Sequence, residues 1–144
     1  MPHSFSKIMI HAVWSTKNRE PLIKENFEAQ LHNHLSQIVK EQNCFPKIVN
    51  GMADHVHLLF DLHPSACLQD VLKNVKGNSS HWVNAQNLMA DKFAWQTGYA
   101  AFAVSESQVQ KVYDYIANQK EHHRTKTFKQ EYESFLRLNG FSPD

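Results

Sequence analysis

Two pairs of side chains in this sequence could support metal binding and nucleophilic attack. His55 and His57 lie in HVHLLFDL, whose composition predicts a strand, so that alternation points both imidazoles to one face. Two such rings can coordinate one metal ion. The alternative interpretation is that both histidines are polar side chains on a sheet face without a ligand. Tyr115 and Gln119 lie four residues apart in VYDYIANQ and therefore share one face of a predicted helix.

Other residues of the same types fit a structural role better. A phenol with a pKa of ~10 is weakly nucleophilic at neutral pH, so packing is the alternative role for Tyr115 unless a nearby metal ion activates it. Tyr113 has Ala117 four residues later and therefore no polar companion on its helix face. The triplet from His32 to His34 falls in another predicted helix, where residues two apart do not face each other. We interpret that triplet as a surface pair.

Basic residues are concentrated in short stretches. The chain has 15 Lys and Arg against 14 Asp and Glu, so its formal net charge is only +1. This balance excludes a globally basic nucleic-acid binder and leaves only local patches for a polyanion. One patch spans residues 111–129, including His122 and His123, and a smaller one spans residues 17–24. The aromatic residues Phe93, Trp95, Tyr99 and Phe102 around Gly98 could stack bases, although core packing is the alternative for most of them.

Hydrophobic periodicity predicts the elements that would position these residues. Strands are predicted over residues 5–14, 44–50, 55–62 and 100–105, with a hairpin between the second and third. Helices are predicted over residues 22–43, 68–88, 106–123 and 128–138, and Ser105 with Gln108 matches a capping box. This order predicts an α+β fold of ferredoxin-like or RRM-like type. In it, a four-stranded antiparallel sheet carries helices on one face.

Length and composition predict a single domain. The 144 residues contain no repeat and no long linker, so residues 1–144 are expected to form one unit. The sequence has no apolar run near the ~20 residues that cross a bilayer, and its N-terminus lacks a signal-like stretch. We therefore expect a cytoplasmic protein without a membrane partner. Cys44 and Cys67 are too few for a disulfide framework.

Four segments together resemble one protein family. In order and spacing, ADHVHLLF, LKNVKGNSS, FAWQTGYAAFAVS and VYDYIANQKEHH are similar to the single-tyrosine transposases of small bacterial insertion sequences. These IS200-like transposases belong to the HUH endonuclease superfamily, and the resemblance covers residues 7–136. It implies cleavage and rejoining of single-stranded DNA at hairpin-marked element ends through a 5′-phosphotyrosine. It also implies a homodimer, in which the tyrosine helix of one subunit can complete the site of the other.

The resemblance assigns roles to individual residues. His55 and His57 match the metal-binding pair, Tyr115 matches the nucleophile and Gln119 matches the third ligand of a divalent ion, Mg²⁺ or Mn²⁺. Asp54 precedes the histidine pair, but strand alternation aims it at the opposite face, so it is left out of the site. The candidate DNA contacts are Lys17, Arg19, Lys76, Lys111, Lys120 and Arg124.

Three other functions are compatible with parts of this pattern. A domesticated relative could process repeated palindromic hairpins with the same site without mobilising an element. A non-catalytic single-strand binder could use the open sheet face, which requires exposed aromatic residues on the two middle strands. A metal-dependent hydrolase of small phosphoesters could use the histidine pair but would not need Tyr115.

Overall fold

A computed structural model describes residues 4–143 of the chain. Four strands form one antiparallel sheet in the order β2-β3-β1-β4. Ala53 and Asp54 form the turn that joins the second and third strands, which confirms the predicted hairpin. The strands are β1 (Met9–Ser15), β2 (Phe45–Met52), β3 (His55–Asp61) and β4 (Ala100–Val104).

The helices follow the predicted order, with one difference in the C-terminal half. The helix predicted over residues 106–123 begins as a 3-10 turn and is broken at Asn118, where φ is −98° and ψ is 22°. Ser105 makes no side-chain capping bond, so the predicted capping box is wrong. The helices are α1 (Glu25–Glu41), α2 (Leu68–Ala85), α3 (Val109–Ala117), α4 (Gln119–His122) and α5 (Phe128–Leu138).

A capping box does form at the start of α5. The backbone N–H of Gln130 donates to Oγ1 of Thr127 at 3.2 Å, and the backbone N–H of Thr127 donates to Oε1 of Gln130 at 2.9 Å. These bonds satisfy two backbone donors and fix where α5 begins.

The main core lies between one face of the sheet and the two long helices. Ile10, Ala12 and Trp14 of β1 are buried there together with Val56 and Leu58 of β3. The apolar stripes of α1 and α2 cover this face, as their periodicity predicts. Burying each large aliphatic side chain contributes about 1.5–3 kcal/mol, so this layer supplies most of the hydrophobic stabilisation. The α+β fold class with a four-stranded antiparallel sheet is confirmed, but helices cover both faces of the sheet rather than one.

The three C-terminal helices lie against the opposite face of the sheet. Ile116 of α3 packs on Met9 and Leu59 in a second, smaller apolar cluster. His55 and His57 point to this same face, because the alternate residues of β3 face the main core. Buried imidazoles need polar partners, and the C-terminal helices are positioned to supply them. Within residues 4–143, none of the helices combines the length and the apolar character needed to span a membrane.

Candidate active site

The two histidines of β3 present their Nε2 atoms to the same point beneath the C-terminal helices. Both side chains are buried, with 0% exposure. Nδ1 of His55 lies 2.7 Å from Oδ1 of Asp54, and Nδ1 of His57 lies 2.8 Å from Nε2 of His11. These contacts fix both rings, so that each Nε2 atom remains directed at the helices.

The expected direction of Asp54 is wrong. Its side chain does not point away from the site but accepts the hydrogen bond from Nδ1 of His55. The strand begins at His55, and Asp54 belongs to the preceding turn. Strand alternation therefore does not govern its side-chain direction.

Three further side chains bring polar atoms to the same point: Gln119, His123 and Glu131. Oε1 of Gln119 lies 3.0 Å from Nε2 of His55 and 3.0 Å from Nε2 of His123. Oε1 of Glu131 lies 3.0 Å from Nε2 of His57, 3.1 Å from Nε2 of His123 and 3.3 Å from Nε2 of His55. We call His55, His57, Gln119, His123 and Glu131 the donor cluster.

Several acceptor atoms of the donor cluster point their lone pairs at one another. Nδ1 of His123 lies 2.7 Å from the carbonyl oxygen of Lys126, which can only accept, so this nitrogen carries the proton. Nδ1 of His55 donates in the same way to a carboxylate. When the rings of His55 and His123 are neutral, their Nε2 atoms are therefore acceptors. Each nevertheless faces Oε1 of Gln119, which is also an acceptor. The amide of Gln119 is oriented by its own Nε2, which donates to Oε2 of Glu131 at 2.8 Å.

Converging acceptors of this kind require positive charge between them, either as protons or as a metal cation. Adjacent ligands at right angles around an ion, each at about 2.1 Å, are about 3.0 Å apart. The donor-cluster separations of 3.0 to 3.3 Å match that spacing. His55, His57 and Glu131 in particular place three ligating atoms within 4.8 Å of one another. The residues therefore fit a divalent ion.

The pKa values of His55, His57 and Glu131 are shifted by burial and by the contacts among these residues. Burial disfavours a charged His55, but hydrogen bonds to Asp54, Glu131 and Gln119 outweigh it and raise its pKa to about 8. Burial lowers the pKa of His57, against the influence of Glu131. Burial opposes ionisation of Glu131, yet the hydrogen bonds from His55 and His57 hold its pKa well below the usual range. The cluster thus contains a carboxylate that attracts cations.

Tyr115 lies at the edge of the donor cluster. Its hydroxyl donates a hydrogen bond to Oε2 of Glu131, and its ring stacks on Phe135 with 5.3 Å between centroids. The ring centroid of His57 is 6.0 Å away. Burial and the neighbouring carboxylate of Glu131 raise the pKa of Tyr115, so the phenol keeps its proton in this arrangement.

The structure brings His55, His57, Tyr115 and Gln119 together as the sequence pattern anticipates. Three contributing residues were not singled out from the sequence: His11, His123 and Glu131. His123 follows Gln119 by four residues, which is a detectable spacing. Glu131 lies on a separate helix 74 residues from His57, and no local pattern marks it.

Comparison with known proteins identifies the family. The sequence model described as "Transposase IS200 like" matches residues 4–119, most of the chain. The chain belongs to the IS200-like transposase family. The match ends at Gln119, so His123 and Glu131 of this transposase lie beyond the matched segment.

Two solved structures share the fold of this transposase. A "putative transposase" from Deinococcus radiodurans R1 is 24% identical with a TM-score of 0.66, over 83% of this chain and 95% of the other. A REP-associated tyrosine transposase bound to a REP hairpin is 13% identical with a TM-score of 0.63, over 85% of this chain and 73% of the other. No match was found among curated proteins.

Two of the predicted DNA contacts of the transposase lie beside the donor cluster. The guanidinium carbon of Arg19 lies 5.7 Å from the ring centroid of Phe128, and that ring stacks on His55 with 4.2 Å between centroids. Arg124 is exposed just after α4, and among residues 4–143 it pairs only with Glu121, at 3.3 Å. Both guanidinium groups could therefore reach a phosphate near the site.

The other four predicted contacts are placed differently. Lys17 is exposed in the same 3-10 turn as Arg19, and Lys111 is exposed on α3. The ammonium of Lys120 pairs with Glu28 at 2.9 Å. The ammonium of Lys76 donates to the carbonyl oxygens of residues 96 and 98, and burial lowers its pKa.

Proposed function

We propose that this transposase cleaves and rejoins single-stranded DNA at hairpin-marked ends, with Tyr115 as the nucleophile that forms a 5′-phosphotyrosine. The observation that carries the proposal is the position of Glu131. One of its oxygens accepts the hydrogen bond from Tyr115, while the other belongs to the donor cluster. The proposed nucleophile and the proposed metal ligands therefore meet at one carboxylate.

His55, His57 and Gln119 are the residues proposed to hold a divalent ion, with His123 and Glu131 completing the set. Carboxylate and amide oxygens suit both Mg²⁺ and Mn²⁺, whereas imidazole nitrogens favour Mn²⁺. When bound, the ion would polarise the scissile phosphate.

The chain's own residues account for the rest of the reaction. The phenol oxygen of Tyr115 forms the new bond to phosphorus, the bond from phosphorus to the 3′ oxygen breaks, and that oxygen takes a proton from water and leaves as a hydroxyl. Oε2 of Glu131 is in contact with the phenol and can accept the proton that Tyr115 loses. Since the ester retains the bond energy, a 3′-hydroxyl of a second strand can reverse the step without a nucleoside triphosphate.

Phe128, the first residue of α5, covers one face of the His55 ring, and neither His55 nor His57 has exposed area. The same Phe128 ring lines two cavities. A phosphate that approaches His55 from this side would have to displace the Phe128 ring.

The proposed partner is a hairpin with an adjoining single strand. The related tyrosine transposase bound to a REP hairpin supports this choice. Tyr115, Glu131 and His57 come from one chain, so this arrangement does not require a residue from a second subunit. The expected homodimer and cytoplasmic location remain predictions.

The alternative functions are supported less well. A domesticated relative that processes repeated palindromic hairpins would use the same chemistry, and the REP-bound neighbour favours it as the second candidate. A non-catalytic binder needs exposed aromatic residues on β1 and β3, but α3, α4 and α5 cover that sheet face over its described residues. A phosphoester hydrolase gives no role to the contact between Tyr115 and Glu131.

Covalent capture tests the proposal. The protein is incubated with Mn²⁺ and a single-stranded REP-type hairpin that carries 3′ and 5′ flanks, and the products are separated under denaturing conditions. The native protein should form a DNA adduct on Tyr115, whereas Tyr115→Phe should form none. Tyr113→Phe is the matched control, since Tyr113 is also on α3 and makes no described contact with the donor cluster. An adduct that persists in Tyr115→Phe would exclude this nucleophile.

A further inference from the structure

Two cavities flank Phe128 on the site face of the molecule. Each has a volume of about 620 Å³, and Arg19 and Phe128 line both. The first is lined by aromatic and uncharged polar side chains beyond Arg19, so we call it the aromatic cavity. The second carries Arg124 and Lys126, and we call it the basic cavity. The Phe128 ring also stacks on His55 of the donor cluster, with 4.2 Å between centroids.

The aromatic cavity has the chemistry of a nucleobase site. Tyr99, which is 38% exposed, and Tyr132 both line it. Asn18, Gln96 and Thr97 add amide and hydroxyl groups to the same lining. Aromatic rings stack unpaired bases, and neighbouring amides can bond the base edges. A lining with one cationic side chain fits a single nucleotide better than a stretch of backbone phosphates.

The rim of the aromatic cavity is fixed before any ligand arrives. The backbone N–H of Asn18 donates to Oε1 of Gln96 at 2.9 Å, and the backbone N–H of Gln96 donates to the carbonyl oxygen of Ser15 at 2.9 Å. The ammonium of Lys76 donates to the carbonyl oxygens of Gln96, at 2.8 Å, and Gly98, at 2.5 Å. Gly98 has a φ of +92°, a conformation that favours glycine. Such preorganisation lowers the entropic cost of binding.

The basic cavity has the chemistry of a phosphate site. Arg19, Arg124 and Lys126 line it, and the carboxylate of Asp54 is the acidic group among its lining residues. That carboxylate already accepts the proton of His55 Nδ1. The remaining positive charge favours backbone phosphates.

We infer that the two cavities form one path for single-stranded DNA across the site. One unpaired base occupies the aromatic cavity with Tyr99 and Tyr132. The strand then passes Phe128, beside His55, where the scissile phosphate lies, and the phosphates beyond it lie along Arg19, Arg124 and Lys126. This inference rests on the proposed function, because it names the nucleotides on either side of the cleaved bond.

A binding assay without cleavage tests the path. Tyr115→Phe protein in EDTA is titrated with a single-stranded eight-residue oligothymidylate that carries one 2-aminopurine. Stacking should quench the fluorescence of 2-aminopurine. Replacing Tyr99 or Tyr132 by Ala should remove that quenching and weaken binding about 5- to 100-fold. Tyr113→Ala is the control, because Tyr113 has a matching exposed fraction of 37% but lies outside the cavity.

Tyr99→Phe separates stacking from a general structural defect, because it keeps the ring and should keep both quenching and affinity. Equal affinity of Tyr99→Ala, Tyr132→Ala and Tyr113→Ala would overturn the inference, as would loss of quenching in the Tyr113 control alone. The outcome is independent of the proposed reaction. Adduct formation on Tyr115 without a Tyr99 effect refutes only the path, whereas tyrosine-dependent quenching without any adduct in the native protein refutes only the reaction.

Discussion

The hydroxyl of Tyr115 donates to Oε2 of Glu131, and the other oxygen of that carboxylate lies 3.0 Å from Nε2 of His57. A single side chain of α5 therefore contacts both the proposed nucleophile and the proposed metal ligands. Glu131 is only 1% exposed, so its charge is not screened by water. This position makes the C-terminal helix part of the site.

Removing the charge of Glu131 should weaken metal binding. Glu131→Gln preserves the side-chain shape but replaces a carboxylate oxygen ligand, and we expect Mn²⁺ affinity to fall about 10- to 100-fold. Titration calorimetry with Mn²⁺ measures this directly. Glu133→Gln on the same helix is the control, since the ion pair described for Glu133 is with Arg137, at 3.7 Å, outside the donor cluster. Unchanged affinity in Glu131→Gln would mean that Glu131 is not a ligand.

His123 should behave as a ligand, although it was not predicted as one. We expect His123→Ala to reduce Mn²⁺ affinity, because its Nε2 lies 3.0 Å from Oε1 of Gln119 and 3.1 Å from Oε1 of Glu131. The adjacent His122→Ala is the control, since the described contact of the His122 ring is with Tyr115 rather than with the donor cluster. Electron paramagnetic resonance of bound Mn²⁺ gives an independent measurement. Equal affinities in the two variants would remove His123 from the ligand set.

The capping box of α5 should stabilise the donor cluster from a distance. Thr127→Ala removes the hydroxyl that accepts from Gln130 and should cost about 0.5–2 kcal/mol in the free energy of unfolding. Hydrogen exchange of α5 amides should accelerate while that of α1 amides does not. Ser105→Ala is the matched control, because Ser105 makes no capping bond. A similar loss of stability in both variants would contradict this role.

His32 should make the protein less stable in acid. Burial lowers its pKa from 6.5 to about 4, with Glu28 acting in the opposite direction. Below pH 6.5 the unfolded chain binds the proton more readily than the folded chain, so stability falls as the pH drops from 6.5 to 4. The contribution is about 1–3 kcal/mol, reduced because the ring is partly exposed.

Urea unfolding at several pH values measures this contribution. His32→Gln cannot titrate, so its stability should depend less steeply on pH between 6.5 and 4 than that of the native protein. The same change at exposed His81 is the control and should leave the native slope. A slope in His32→Gln identical to the native slope would show that other groups govern acid unfolding.

Local sequence patterns predicted the fold because they encode which face of each element is buried. Alternation in β3 separates His55 and His57 from Val56 and Leu58, and the structure places these pairs on opposite faces. The break at Asn118 was not predicted, because neither Gly nor Pro marks it and the following residues, Gln119–His122, are again helical. DNA contacts were predicted from charge alone, which does not reveal that Lys76 and Lys120 already have partners within the protein.

The sequence did not predict the full donor cluster for a different reason. The contact between Glu131 and His57 spans 74 residues and joins α5 to β3. Such a contact depends on how α5 lies across the sheet, and no spacing in the sequence reports that. The direction of the Asp54 side chain was predicted wrongly, because side-chain alternation holds only within a strand and Asp54 comes one residue before β3 begins.

The alternation of β1 has a consequence for folding as well as for chemistry. Its odd-numbered residues, such as His11, contribute to the donor-cluster face, whereas Ile10, Ala12 and Trp14 fill the main core. A slip of one residue in the pairing of Val13 with His57 would bring indole and aliphatic groups beneath the helices and turn the imidazole of His11 into the apolar layer. Misregistered molecules would lose the hydrogen bond that orients His57. Metal affinity would therefore report on whether a preparation has paired its strands correctly, and not only on the presence of the ligands.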